Sequence, residues 1–377
     1  MRELSNIISG IAPSATLEIS DKARQMQRNG IDVISLSIGE PDFDTPAHIK
    51  EACIQALSRG ETHYAPSNGI PELLSAISRK TEQENKIPCT TGQVIVTCGA
   101  KDAIYDAMVA VLNPGDEVII LDPSWVSYEP CVRMAGGKPV HHLLNSKTFQ
   151  VDESVLDKIT GKTRMIVINS PSNPSGAILN RSSLGIIADM CEDYDLIPLS
   201  DEIYEKLIYG REHISLGSIR DMAERTITVN GFSKAYAMTG WRLGWAVAPQ
   251  AIINQMSKVQ QHSISHPTTF AMYGGVAALA CDQSVVETMR KEFHRRRDYL
   301  VQELLLMGYT VAPAEGAFYA YVNTGGDDIG TARKWLEKGL VAVTPGSAFN
   351  TPGWQRISYA TSMGHLQEAV RRIKSLT

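Results

Sequence analysis

Five stretches of this chain share one pattern: a short run rich in valine and isoleucine stops at a glycine or polar residue, and a helical stretch follows. They are VIVTCGAK from Val94, EVIILDPSW from Glu117, MIVINSPSNP from Met165, LIPLSDEIY from Leu196 and TITVNGFSK from Thr226. Runs that are apolar on both faces belong in a parallel sheet covered by helices on both sides, so the pattern predicts a doubly wound α/β fold. In such folds ligands bind beyond the carboxyl ends of the strands. The residues just after each run are therefore the ones to collect: Gly99, Ala100 and Lys101, then Trp125, Asn173, Asp201 and Tyr204, and finally Ser233 and Lys234.

With 377 residues the chain is too long for one small core. The large sheet domain is placed at 45–275. A smaller α+β domain at 276–377 holds AFYAYVN, a strand at Leu340 to Val343, RISYA and helices. Residues 1–44 cannot form a core alone and are expected to pack with that C-terminal region. Between these parts, IGEPDFDTP from Ile38 to Pro46 is an irregular crossing, with Thr45 expected to cap a helix that starts at Pro46. Helices are also expected at Lys22 to Arg28, Glu72 to Glu84 and Val285 to Met307. The His294-Arg295-Arg296-Arg297 run in the last is read as a solvated face.

A net charge of −5 gives no basic footprint for nucleic acid. Apolar stretches such as Val276 to Cys281 are far too short to span a membrane. MRELSNIISGIAP lacks the features of a secretory signal, which points to the cytoplasm. The six cysteines form no CxxC pair and the nine histidines no HExxH, so no metal is expected and the thiols are read as reduced.

The strand-end inventory combines an amine, a carboxylate, a phenol, an amide, an aromatic face and a phosphate cradle, a set that suits pyridoxal phosphate. Lys234 would hold the aldehyde as a Schiff base and later shuttle a proton. Asp201 would keep the pyridine nitrogen protonated, while Tyr204 and Asn173 would bond the phenolic oxygen and Trp125 would stack on the ring. The amides of Ala100 and Lys101, at the start of a helix, would meet the phosphate together with Ser233 and Arg242. Taken singly, each has a plainer use: Asp201 could cap a helix, Trp125 could pack a core, and the arginines could form surface ion pairs.

With these residues in hand, the chain resembles a class I/II aminotransferase of fold type I, the aspartate aminotransferase family. The resemblance runs from PSAT at Pro13 to RISYA at Arg356, through IGEPDFDTP, SPSNPSG, SDEIY and SKAYAMTGWRLG. It implies that Arg356 grips the substrate α-carboxylate and that Gly39 closes over it. It also implies that Tyr64 reaches the phosphate of a neighbouring subunit's cofactor, hence a homodimer with shared sites. Trp125 and Asn173 are implied to touch substrate as well. Lys101 either lies in solvent or meets the distal carboxylate of aspartate and glutamate. Ser263 and His266, in QHSISHPT, could shape specificity or serve structure.

Two departures stand out. Asn173-Pro174-Ser175-Gly176 has serine where the family usually has threonine, which keeps the turn. Ala12 stands where related sequences often carry a basic residue, which weakens any extension to prephenate. The expected activity is ping-pong transfer of an amino group from aspartate or glutamate to a 2-oxo acid, 2-oxoglutarate or oxaloacetate. Aromatic, alanine or diaminopimelate-type specificity, or a lyase of the same fold, are the alternatives.

Overall fold

The computed structural model describes residues 4–13 and 15–376, with side chains for 4–13 and 21–376. Ser14 of the PSAT stretch lies outside the described residues. A seven-stranded sheet runs in the spatial order Val94–Thr97, Gly244–Val247, Ile227–Gly231, Ile197–Asp201, Thr163–Asn169, Glu117–Asp122 and Lys138–Leu143. All strands are mutually parallel except Gly244–Val247, which is antiparallel to both its neighbours. Every residue of Val94–Thr97, Glu117–Asp122 and Ile227–Gly231 is buried. Those runs are continuously apolar because helices cover both faces of the sheet.

Register brings the strand ends together: Asn169 lies opposite Asp201, and Asp201 opposite Val229. Between Ile227–Gly231 and Gly244–Val247 the chain leaves and re-enters the sheet at the paired residues Gly231 and Gly244. A Cβ on Gly244 would stand 2.5 Å from the amide nitrogen of Ala100. That missing side chain lets the Lys234 loop lie directly against the start of the helix Ala100–Val111.

A four-stranded antiparallel sheet is built from Thr344–Pro345, Trp354–Ser358, Tyr319–Asn323 and Thr310–Val311. Ile34–Ser35 pairs in parallel with Val341–Ala342. One apolar cluster joins Leu36, Phe293, Phe318 and Ile357 to Ile203 and Tyr204. The turn after Asp201 is thereby tied to the smaller sheet.

Several expectations need correction. Thr45 does not cap a helix: Ala47–Ser58 begins after Pro46 without a side-chain cap. The Thr45 hydroxyl instead donates to Ala237 O at 2.6 Å and accepts from the Trp241 indole at 3.1 Å, because the Lys234 loop competes for it. The helix expected over Glu72 to Glu84 is Pro71–Lys80 followed by a π turn, Thr81–Asn85. Leu340 is left-handed (φ 54°) and ends a helix, so the strand there is only Val341–Ala342. Arg296 is not solvated: it is 5% exposed. It bonds Glu292 at 2.8 Å and, in the IGEPDFDTP crossing, Asp42 at 2.7 Å, with its guanidinium 5.2 Å from the Phe43 ring. Packing turned one face of that basic run inward to anchor the crossing.

Candidate active site

The strand ends open into a cavity of about 490 Å³. It is lined by Gly39, Ala100, Lys101, Trp125, Asn173, Asp201, Tyr204, Ser233, Lys234, Arg242 and Arg356, all of which were expected there. Gly99 lies just behind the lining as N-cap of Ala100–Val111, which takes no side-chain cap. Its φ is +88°, and a Cβ there would stand 2.8 Å from the Arg242 guanidinium. The cradle therefore needs glycine. Arg242 is itself left-handed (φ 53°), so its strand begins only at Gly244. That turn aims the guanidinium at Thr239 O (3.1 Å) and Cys98 O (3.3 Å), beside the helix start. Peptide amides at a helix N-terminus, the Ser233 hydroxyl and a guanidinium form a phosphate-binding donor set.

Lys234 reaches across and donates to the Gly39 carbonyl at 2.5 Å. Burial chiefly, with Arg356 and Arg242 assisting and Glu40 opposing, brings its amine down to about 8. A substantial fraction is then neutral, and so nucleophilic, near physiological pH.

Asp201 is buried, with Tyr128 donating to Oδ2 at 2.7 Å and the Ile203 amide to Oδ1 at 3.2 Å. Its carboxyl is pushed up to about 6 by burial, against the pull of these two bonds. A carboxylate held this way gains from a cationic partner in the cavity.

Arg356 is 3% exposed and donates to Asn173 Oδ1 (2.9 Å) and Ser37 O (2.7 Å). Its guanidinium lies 4.5 Å from the Tyr319 ring centroid. Among the described residues it pairs with no carboxylate, and its Nε has no acceptor. A buried guanidinium without a counter-ion is a site for an anion.

Lys101 is exposed at the mouth, its ammonium 4.9 Å from the Trp125 ring centroid. Tyr64 does not line this cavity: it is 92% exposed, and its ring stands edge to face with His266, the centroids 5.6 Å apart. His266 accepts from the Ala65 amide at 3.3 Å, and Ser263 bonds its own helix. Within the described residues both serve local structure.

The lining residues that were not anticipated include Tyr128, Asn169, Tyr319 and Arg24. Tyr128 follows Trp125 by three positions, a helical spacing that could have placed it on the same side. Asn169 ends the strand of the NPSG turn; it accepts from the Asn173 amide at 2.8 Å and donates to Asp201 O at 3.0 Å. Tyr319 shares a hydroxyl contact of 2.9 Å with Tyr204 across the two sheets, a pairing with no local sequence signal.

The model of the aminotransferase class I and II family matches residues 31–373. The chain is a class I and II aminotransferase. The transaminase is 44% identical, over 98% of both chains, to a probable aspartate/prephenate aminotransferase of Aquifex aeolicus. Its structure matches that of Thermus thermophilus aspartate aminotransferase with maleate at a TM-score of 0.97, 42% identity and full coverage of both chains. An aromatic aminotransferase from Pyrococcus horikoshii matches at 0.89 and 44% identity, covering 94% of this aminotransferase and 98% of the other. Identity of this size fixes the reaction class and leaves the choice of side chain to individual residues.

Proposed function

We propose that the cavity holds pyridoxal phosphate and that aspartate or glutamate is the amino donor, with 2-oxoglutarate or oxaloacetate as acceptor. The observation that carries this reading is the buried, unpaired Arg356 in one cavity with Lys234 and Asp201. The cofactor fits the residues present: phosphate at Ala100, Lys101, Ser233 and Arg242, ring nitrogen at Asp201, ring face at Trp125, aldehyde at Lys234. When bound, pyridoxal phosphate supplies a carbonyl that takes up the amino group and a ring that withdraws electrons.

The chain's own residues do the rest. Arg356 clamps the α-carboxylate with a two-pronged fork, and Asn173 holds that fork in place. Lys234, with its amine near 8, can both accept a proton at Nζ from the α-carbon and return it. Asp201 supplies the fixed negative charge that stabilises a protonated ring nitrogen. Tyr204, its phenol kept neutral by burial and by Tyr319, donates from its hydroxyl. Lys101 at the mouth offers a cation to a distal carboxylate.

Two further parts belong to the same reading. A homodimer with shared sites is supported by the exposed Tyr64, which finds no cofactor role within its own chain. A division into 45–275 and 276–377, with 1–44 joined to the latter, is supported by the pairing of Ile34–Ser35 with Val341–Ala342. No described helix is long and apolar enough to cross a membrane; work in the cytoplasm agrees with the six unpaired cysteines. The test is a half-reaction panel, following the cofactor's absorbance as each amino acid is added. Conversion by aspartate and glutamate well ahead of alanine and phenylalanine is expected; preference for a neutral or aromatic amino acid would overturn the donor assignment.

A further inference from the structure

The turn that follows the strand Ile197–Asp201 has two faces. Asp201 and Tyr204 line the cavity, whereas Glu202 and Glu205 point the other way into a buried polar cluster. Glu202 is 1% exposed yet fully engaged. One oxygen accepts from Ser200 at 3.0 Å and Ser215 at 2.7 Å; the other accepts from Ser215 at 2.8 Å, Asn85 at 3.3 Å and the His213 Nε2 at 3.0 Å. Glu205 accepts from Asn85 at 2.6 Å and makes a short contact with Lys80.

The π turn explains how the partners arrive. In an α-helix, residues five apart face different ways; a π turn brings them onto one side. Thr81–Asn85 is such a turn, and Lys80 donates to Asn85 Oδ1 at 2.6 Å. Both then reach the glutamates behind Asp201.

We infer that Glu202 is a positioning residue for the active site, holding Asp201 and Tyr204 from behind and supplying a buried negative charge next to Asp201. This role rests on pyridoxal phosphate occupying the cavity. The backbone agrees with it: the Glu202 amide donates to Val229 O at 2.9 Å and the Glu205 amide to Glu202 O at 2.9 Å, so the side chain and main chain of one residue fix the turn. The ionisable groups around Glu202 are Asp201, Glu205, Lys80 and His213; Glu84 and Lys206 pair at 2.6 Å farther out, where Lys80 also reaches Glu84 at 3.6 Å. Spacing alone would let Glu202, Glu205 and His213 share a cation. Lys80 already neutralises Glu205, which closes the cluster to a metal. His213 works on the charge of Glu202: burial opposes its protonation, but Glu202 raises its pKa above the ordinary value. Its Nδ1 is buried with no partner among the described residues, so the bond to Glu202 is what holds the ring.

The test uses the holoenzyme and three variants, Glu202→Gln, Glu202→Asp and His213→Gln. Two quantities are read: the pH at which the absorbance band of the Lys234-bound cofactor changes, and the dissociation constant for pyridoxal phosphate. Removing the negative charge should move the transition in Glu202→Gln down by about half a pH unit or more and weaken cofactor binding about tenfold. Glu202→Asp keeps the charge and should return the transition most of the way to wild type. His213→Gln removes the imidazole whose protonation Glu202 favours and should move it up, so the assignment stays testable should Glu202→Gln fail to fold. Wild-type transition and affinity in Glu202→Gln, or an unmoved transition in His213→Gln, overturns the inference even if melting temperature falls. A wild-type protein that forms no such band refutes the cofactor reading instead.

Discussion

The Tyr128 hydroxyl donates to Oδ2 of Asp201 at 2.7 Å, at the closed end of the cavity. That bond favours the ionised carboxylate, which burial opposes. Tyr128→Phe removes a hydrogen bond to a charged group worth about 1.5–3 kcal/mol. Pyridoxal phosphate should then be held about tenfold or more weakly, with the fold intact, as equilibrium dialysis would show. Unchanged retention would mean that Asp201 needs no such support.

Asp201 sets stability against function. Its folded-state carboxyl, near 6, lies above its unfolded value of about 3.8. The native protein therefore keeps a proton that the unfolded chain has lost, and stability of the cofactor-free protein falls as pH rises from about 4 to about 6. Above pH 6 the deficit is about 2–3 kcal/mol. Asp201→Asn abolishes this penalty but loses part of one hydrogen bond, so a net gain of about 1–2 kcal/mol is expected at pH 8 in urea denaturation. The same variant should slow the half-reaction by orders of magnitude. A cofactor-free variant no more stable than wild type at pH 8 would count against the buried-carboxylate picture.

Lys101→Ala tests the distal carboxylate. Loss of a charge-assisted contact of about 1.5–3 kcal/mol should raise KM for aspartate and glutamate about 10–100-fold and leave alanine nearly untouched. A uniform loss for all three amino acids would assign Lys101 to the phosphate or to structure.

Lys80 is 7% exposed and is the ammonium partner of Glu205. Burial works to raise the Glu205 carboxyl, but Lys80 and its neighbours hold it down at about 2. Lys80→Met leaves that carboxylate buried and uncompensated, and should cost about 3–5 kcal/mol at neutral pH. Glu205 is then driven toward its neutral form, so the loss should shrink as pH falls below about 4. A loss independent of pH would point to packing rather than charge.

The strand ends were legible because buried parallel strands are unbroken valine and isoleucine runs that stop where the sheet opens to ligand. Lys234, Asp201, Ser233 and Asn173 all sit at such stops. Tyr319 was not legible, since its partner Tyr204 lies 115 residues away and aromatic residues mark a core as readily as a site. Thr45 and Arg296 were misplaced for the same reason: helix rules are local, while Ala237, Trp241 and Asp42 reached them from distant segments. Tyr64 could not be placed from one chain because the role its resemblance implies belongs to an assembly.

The most direct test of the central claim is reduction of the protein with borohydride after incubation with pyridoxal phosphate, followed by peptide mass mapping. One pyridoxyl group on the peptide carrying Lys234, and none in Lys234→Ala, is the predicted result. A label on another lysine, or one that persists in Lys234→Ala, would contradict it.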